Sequence, residues 1–202
     1  MMPENDIRIA SSFLKEGKVV CFPTETVYGI GVIFDDENAY RELCQIKRRP
    51  PEKPFSVMFS GLEEAMKYVI ADRKAEQTLR RFLPGEITFL VHSRPDLPFQ
   101  ATLGTGIVGV RIPADKAIGE LLRETGKPCL VTSANRSGEK PLVKYEEVVK
   151  EFADDVAFIA KGECVSCTPT TIVDLTDPSG IKLIREGSIP FADIEAYWRK
   201  LQ

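Results

Sequence analysis

Apolar residues Ile7, Ala10, Phe13 and Leu14 recur at helical spacing, which predicts a first helix capped by Asp6 and ended at Gly17. The unbroken apolar run Val19–Phe22 reads as a buried strand, and Pro23–Gly31 as a loop of hydroxyls and glycines at its end. Ala39, Leu43 and Ile46 mark the inward face of a helix over Glu37–Ile46, which Pro50 and Pro51 stop. Phe55–Phe59 predicts a strand, Leu62–Ile70 and Asp72–Phe82 predict helices, and Pro84-Gly85 a turn into strand Ile87–Val91. Strand Ile107–Ile112, helix Ala117–Glu124 ended by Gly126, and strand Cys129–Thr132 follow. Helix Tyr145–Phe152, strands Val156–Ala160, Thr171–Leu175 and Lys182–Ile184, and a last helix over Phe191–Leu201 complete the pattern. Strands and helices intermix without a strict βαβ rhythm, and some adjacent strands look like hairpins. The predicted class is α/β (α+β), a twisted mixed β-sheet flanked by helices.

At 202 residues the chain is long enough for one sizeable core, burying about 70% of the unfolded surface. No Pro/Gly/Ser-rich linker or shift in composition divides it, so a single domain over residues 1–202 is expected. The net charge of −3 does not advertise nucleic-acid binding; a local basic cleft on an acidic body fits a small anionic ligand better. Met1–Ala10 is polar, and no apolar run is long enough for a bilayer. A cytoplasmic protein without membrane contact is therefore expected. Cys21, Cys44 and Cys129 sit in apolar strand or helix patterns, as small hydrophobes do.

Candidate chemistry starts with Pro23-Thr24-Glu25-Thr26-Val27-Tyr28-Gly29-Ile30-Gly31. Its glycines let backbone approach a ligand, and its hydroxyls donate or accept without carrying charge. Lys47-Arg48-Arg49-Pro50, with Lys53-Pro54-Phe55 behind it, is a basic knot at a helix carboxyl end. The helix dipole alone favours charge there. That account suits Arg48, which points away if Lys47 and Arg49 face one cleft. It suits Lys53 less well, because cations in a rigid loop repel unless an anion neutralises them. Arg111 interrupts an apolar strand, and spacing does not decide between a salt bridge at the core edge and a ligand contact. Thr132-Ser133-Ala134-Asn135 and Thr170-Thr171 each read alone as ordinary turn or strand residues. Together with the first loop they suggest a site for phosphate and carboxylate, with hardly any acid–base residue.

Other motifs fall away. Gly104-Thr105-Gly106-Ile107-Val108-Gly109 spells a dinucleotide fingerprint, but it follows a loop and runs into a strand rather than a helix. Cys164-Val165-Ser166-Cys167 has the spacing of half a zinc site or a redox pair, yet no second pair exists, and two incidental loop thiols is the preferred reading. His92, the one histidine, reads as a strand-end residue.

The ordered blocks identify the chain as resembling the YrdC/TsaC-like family, the threonylcarbamoyl-AMP synthases. They are Pro23–Gly31, Lys47-x-Arg49-Pro50 with Lys53-Pro54, Pro84-Gly85-x-x-Thr88, Val108–Pro113, Thr132–Asn135 with Ser137-Gly138, Thr170–Asp174, and Arg185-x-Gly187. The match runs from about Ile7 to about Pro190. The resemblance implies a YrdC/RibB-like sheet around a concave basic cleft. It implies condensation of L-threonine, bicarbonate or carbon dioxide, and ATP into threonylcarbamoyl-AMP and pyrophosphate, with magnesium carried by the ATP. No protein side chain is implied as a metal ligand. Downstream transferase proteins would pass the group to a tRNA adenosine, and a weak contact with tRNA itself is one further partner the resemblance allows. By resemblance Thr26, Arg111 and a hydroxyl of Thr170 or Thr171 hold threonine. Lys47, Arg49, Lys53, Ser133, Asn135 and Arg185 hold the nucleotide, with Lys47 and Arg49 as the catalytic pair. Thr24, Tyr28 and Thr132 line the floor. The position of a histidine in many longer relatives is Met58 here, and the chain resembles the short type without their extra carboxyl-terminal domain.

The implied reaction explains the residue types, because a carbamate attacking phosphorus needs positioning and charge neutralisation but no protein nucleophile. Two other classes compete: an RNA-binding module using the basic face without chemistry, and a domain that senses threonine or nucleotide without turnover. Overall acidity and the lack of aromatics within the basic knot count against the first.

Overall fold

The computed structural model of the chain describes residues 2–49 and 54–201. Helix α1 (Glu4–Lys15) turns Ile7, Ala10 and Leu14 inward. Its start differs from expectation: the helix begins behind Pro3 with no side-chain cap, and Asp6 instead accepts the backbone N–H of Lys161 at 2.7 Å. Strand β1 (Val20–Phe22) follows. The next strand, β2 (Gly29–Ile33), takes up the end of the segment expected to be a loop, and pairs antiparallel with β1.

Helix α2 (Glu37–Lys47) is capped by Asp36, whose carboxylate accepts two backbone N–H groups. Strand β3 (Ser56–Met58) comes next. The expected helix Leu62–Ile70 is instead a short helix α3 (Leu62–Ala65) and a strand β4 (Val69–Ile70). The remaining elements are α4 (Arg73–Phe82), β5 (Ile87–Ser93), the unanticipated short helix α5 (Phe99–Thr102), β6 (Ile107–Arg111) and α6 (Lys116–Thr125). Then come β7 (Cys129–Ser133), α7 (Tyr145–Phe152), β8 (Phe158–Ile159), β9 (Thr171–Asp174), β10 (Lys182–Arg185) and α8 (Phe191–Lys200).

Among the described residues ten strands form one mixed sheet, ordered β10-β9-β5-β6-β3-β7-β2-β1-β8, with β4 beside β5. The pairs β1/β8, β3/β6 and β5/β9 are parallel. Side chains alternate across the sheet, so register assigns each position to a face. Val57, Phe89, Val110, Leu130 and Val173 pack with Leu43 of α2, Leu79 of α4, Phe152 of α7 and Trp198 of α8 in the larger core. On the opposite face Val20, Phe22, Met58, Cys129 and Val131 pack under Leu14 of α1 and Ile118 and Leu121 of α6. Ser56 pairs with both Gly109 and Val131, and Thr88 with Ile172, which places them on this second face beyond the two helices. There Ser56, Thr88, Arg111 and Ile172 line an open cleft. No helix among the described residues is long and apolar enough to cross a membrane.

Asp36 accepts from the N–H of Asn38 at 2.9 Å and of Ala39 at 3.0 Å. Asp36→Ala is expected to lower unfolding free energy by about 1 kcal/mol, read as a lower urea midpoint at unchanged slope.

Candidate active site

The cleft has a volume of about 210 Å3. Arg111 enters it from the end of β6, and its position is fixed by the loop between β1 and β2. Its Nη2 donates to Glu25 Oε1 at 3.0 Å, Thr26 Oγ1 at 3.0 Å and Thr24 Oγ1 at 3.3 Å. The Arg111 and Glu25 side chains are only 11% and 8% exposed, so the ion pair is shielded from solvent screening. Thr24 Oγ1 also donates to the Val27 carbonyl at 2.7 Å and accepts the Thr26 N–H at 3.2 Å. That hydroxyl-closed turn sets the spacing of the loop. The salt-bridge reading of Arg111 is realised with Glu25, and the guanidinium also lines the cleft. The pair is incompletely satisfied, because Glu25 Oε2 and Arg111 Nε have no hydrogen-bond partner. Orphaned buried polar atoms of this kind cost about 1–3 kcal/mol each.

Arg185, at the end of β10, folds over Thr170. Its Nε and Nη2 donate to the Thr170 carbonyl at 3.1 and 2.8 Å, and Nη2 also reaches Thr170 Oγ1 at 3.1 Å. Thr170 Oγ1 lies 3.3 Å from Thr88 Oγ1. Gly187 permits this close packing, for a Cβ there would strike the Pro169 carbonyl and lie 2.6 Å from the Thr170 carbonyl carbon. Desolvation first, and the Arg111 charge second, push the Arg185 guanidinium below its ordinary range. Arg49 donates to the Pro54 carbonyl at 2.8 Å and stacks 4.6 Å above the Phe55 ring. Desolvation lowers its pKa as well.

Lys47 occupies a different place. The expectation that Lys47 faces the cleft beside Arg49 is corrected: its side chain is 1% exposed and does not line the cleft. Its Nζ donates to the Ser133 carbonyl at 2.5 Å, Asn135 Oδ1 at 3.0 Å and the Asn135 carbonyl. The cause is Arg48, which caps α2 in the left-handed conformation (φ 49°) and turns the chain there. Lys47 is thereby left under the β7 end, Arg48 in solvent, and Arg49 in the cleft. Burial, then the Arg49 charge, lower the Lys47 ammonium to about 7.

Of the other residues singled out in the sequence, Thr26, Thr132, Ser133 and Thr170 line the cleft. Asn135 turns away from it, with Nδ2 donating to the carbonyls of Arg136 and Glu139 at 2.8 Å each and Oδ1 accepting from Ser133 Oγ at 2.6 Å. Thr171 is buried, donating to the Ile189 carbonyl at 2.6 Å and accepting the Gly187 N–H at 2.9 Å. Thr24 sits behind the cleft as a holder of Arg111. Tyr28 belongs to the core, its hydroxyl facing the carbonyls of Ala160 and Gly162, and burial raises its phenol pKa. Lys53 lies outside the described residues. His92 is an exposed strand-end residue whose Nε2 lies 3.1 Å from the Thr176 carbonyl oxygen.

Sequence reasoning missed Ser56 and Thr88 as cleft hydroxyls, Val27, Phe55 and Ile172 as its apolar wall, and Glu25 as the Arg111 partner. Strand alternation through Ser56 and Thr88 was the available signal, once a register was known. No Asp or Glu stands among the described residues lining the cleft, and none of them forms a cluster of three or more His, Cys, Asp or Glu able to hold a metal. Three guanidiniums, six hydroxyls and an apolar wall can hold a molecule bearing several negative groups.

Lys47→Met removes a buried cation and its hydrogen bonds to the Ser133 and Asn135 carbonyls, so an unfolding free energy lower by about 3 kcal/mol is expected at pH 7. The lowered Lys47 pKa also sets a pH slope. Between about 7 and the ordinary lysine value of 10.5 the unfolded chain binds the extra proton, so wild-type stability rises with pH across that window relative to Lys47→Met. Parallel denaturation at pH 7 and 10 checks the sign. Gly187→Ala is expected to displace Thr170 and Arg185, visible as chemical-shift changes concentrated at those two residues.

The Sua5/YciO/YrdC family model, described as telomere recombination, matches residues 12–187. The threonylcarbamoyl-AMP synthase of Pyrococcus abyssi is 34% identical over 94% of this chain and 56% of its own length. That of Bacillus subtilis is 32% identical over 95% and 57%. The chain thus spans little more than half the length of these two synthases. The uncharacterized protein YciO of Escherichia coli is 29% identical over 90% of the chain and 88% of its own length. Among solved structures, P. abyssi Sua5 complexed with L-threonine matches with a TM-score of 0.89 at 33% identity, over 95% of this chain and 56% of that one. E. coli YciO matches with a TM-score of 0.86 at 27% identity, over 93% and 92%. With the family model covering most of its length, the chain belongs to the Sua5/YciO/YrdC family.

Proposed function

We propose that the protein is a threonylcarbamoyl-AMP synthase, joining L-threonine, carbon dioxide or bicarbonate, and ATP with release of pyrophosphate. The observation that carries this reading is the convergence of Arg49, Arg111 and Arg185 with six hydroxyls in one hollow that no described carboxylate lines. Relatives bearing that activity in their names, and one solved with L-threonine, support it. The enclosed volume suits an amino acid, with the larger nucleotide reaching over the rim.

Arg111 is the natural clamp for the threonine carboxylate, because Glu25, Thr24 and Thr26 already fix its guanidinium while it still lines the cleft. Thr26 Oγ1 and Thr170 Oγ1 stand ready as hydrogen-bond partners for the amino acid. The threonine amine adds to carbon dioxide, giving up a proton to form a carbamate. A carbamate oxygen then attacks the α-phosphorus, and the bond to the departing pyrophosphate breaks. Arg49 and Arg185 offset the crowding of carboxylate, carbamate and phosphates, which in a low dielectric is the main barrier to assembling them. Ser133 and Thr132 contribute neutral donors, while Lys47 acts as a positioning residue through the Ser133 carbonyl. Magnesium, if carried in by ATP, would be held by phosphate oxygens and water, since the described cleft offers it no carboxylate. Downstream transferase proteins would then move the threonylcarbamoyl group to a tRNA adenosine.

Purified protein with ATP, magnesium, bicarbonate and threonine is expected to release pyrophosphate in strict dependence on threonine. Arg185→Ala and Arg111→Gln are expected to lower kcat/KM for threonine by about 100-fold, on the scale of one lost charged partner. Circular dichroism checks that both variants fold. Threonine binding without pyrophosphate would instead identify a sensor. Tight, steeply salt-dependent tRNA affinity without turnover would identify an RNA binder.

A further inference from the structure

The Cys164–Cys167 segment straps the loop that positions Arg111. The backbone N–H groups of Val165 and Ser166 donate to the Glu25 carbonyl at 3.3 and 2.9 Å, and Ser166 Oγ donates to the same oxygen at 3.3 Å. Cys164 sits beside the Thr24 backbone, which opposes the upward push that burial gives its thiol. Glu25 is therefore gripped twice, by this segment on its main chain and by Arg111 on its carboxylate. Cys167 is exposed and holds a left-handed φ of 52°, an uncommon conformation for a residue with a Cβ. Its Sγ lies 3.9 Å from the Cys164 carbonyl oxygen. The chain bends at Val165 and Ser166, and a bend that closes into a β-turn brings i and i+3 Cα atoms within about 7 Å, the separation a disulfide requires. Both thiols are free, and a hollow of about 530 Å3 opens beside them, walled by Tyr145 and Lys161.

We propose that Cys164 and Cys167 form a thiol–disulfide exchange site for small dialkyl disulfides, and that their oxidation releases the strap from Glu25. The exposed Cys167 thiolate attacks one sulfur of the incoming disulfide; that S–S bond breaks and one thiolate leaves. Cys164, deprotonated, then attacks Cys167 Sγ, and the second thiolate departs. The two protein thiols are oxidised, the incoming disulfide is reduced to two thiols, and the two protein protons pass to them. The order follows from access, with burial holding the Cys164 thiol up at about 11. Once Cys164 is bonded to Cys167, the Val165 and Ser166 amides turn from the Glu25 carbonyl. The consequence for turnover rests on the synthase reading; the chemistry and the loop release do not.

Oxidised glutathione is the probe. Treated protein is expected to lose two hydrogen masses in the peptide spanning Cys164 and Cys167, and to exchange the Val165 and Ser166 amide protons at least tenfold faster. Cys167→Ser, treated alike, is expected to keep slow exchange and form no such bridge. Both thiols remaining free, a reaction stopping at the glutathione mixed disulfide, or a bridge that leaves those amides slow would each overturn the proposal. If the reduced protein releases pyrophosphate, the bridged form is expected to do so at least fivefold more slowly, reversibly with dithiothreitol, and an equal rate would overturn the link to the cleft. A reduced protein without turnover counts against the synthase reading alone, because mass and exchange still decide the exchange site.

Discussion

Like charges held together at the edge of a low-dielectric interior dominate this molecule. Arg185 is disfavoured by Arg111, and Lys47 by Arg49, each on top of a desolvation penalty. Glu25 pairs with this group directly, through Arg111. Carbonyl oxygens add relief: Thr170 for Arg185, Pro54 for Arg49, and Ser133 with Asn135 for Lys47. Carbonyl dipoles stabilise a cation without cancelling its charge. An anionic ligand in the cleft would relieve these cations further, which would tie ligand binding to cation burial.

The fold makes this arrangement affordable by dividing one sheet face between two uses. Leu14, Ile118 and Leu121 seal the part around Val20, Phe22 and Met58. The neighbouring part, through Ser56, Thr88 and Arg111, stays open. Register links the two, since Met58 pairs with Arg111 on one side and Cys129 on the other. A slip of one residue would bury Arg111 and turn Val110 to solvent. The guanidinium is thus anchored by the same alternation that builds the core.

Much of this was legible in the sequence, and the parts that were not share a cause. Ile7, Ala10 and Leu14 or Ala39, Leu43 and Ile46 declare their helices by spacing, because burial of a stripe is a local pattern. Gly29–Ile33 was hidden because its glycines suggest a loop; in fact small residues are needed there, where a Cβ on Gly31 would come within 2.7 Å of the Leu130 carbonyl oxygen. In the site, Arg49 stood out within the basic knot, Arg111 as a charge interrupting an apolar strand, and Arg185 through the family resemblance. Separating Lys47 from Arg49 required knowing that Arg48 is left-handed. Separating Thr170 from Thr171 required knowing that β9 begins at Thr171, which is buried, while Thr170 just before it lines the cleft. Glu25 was visible between two threonines, but its partner lies far along the chain and only the fold brings the two together.

The central claim is that the arginines of this hollow jointly hold an amino acid and a nucleoside triphosphate. A crystal structure with L-threonine and a non-hydrolysable ATP analogue tests it most directly. The account predicts the threonine carboxylate on Arg111, with phosphate oxygens on Arg49 and Arg185. Ligands bound elsewhere, or an Arg111 still engaged only with Glu25 beside an occupied cleft, would contradict it.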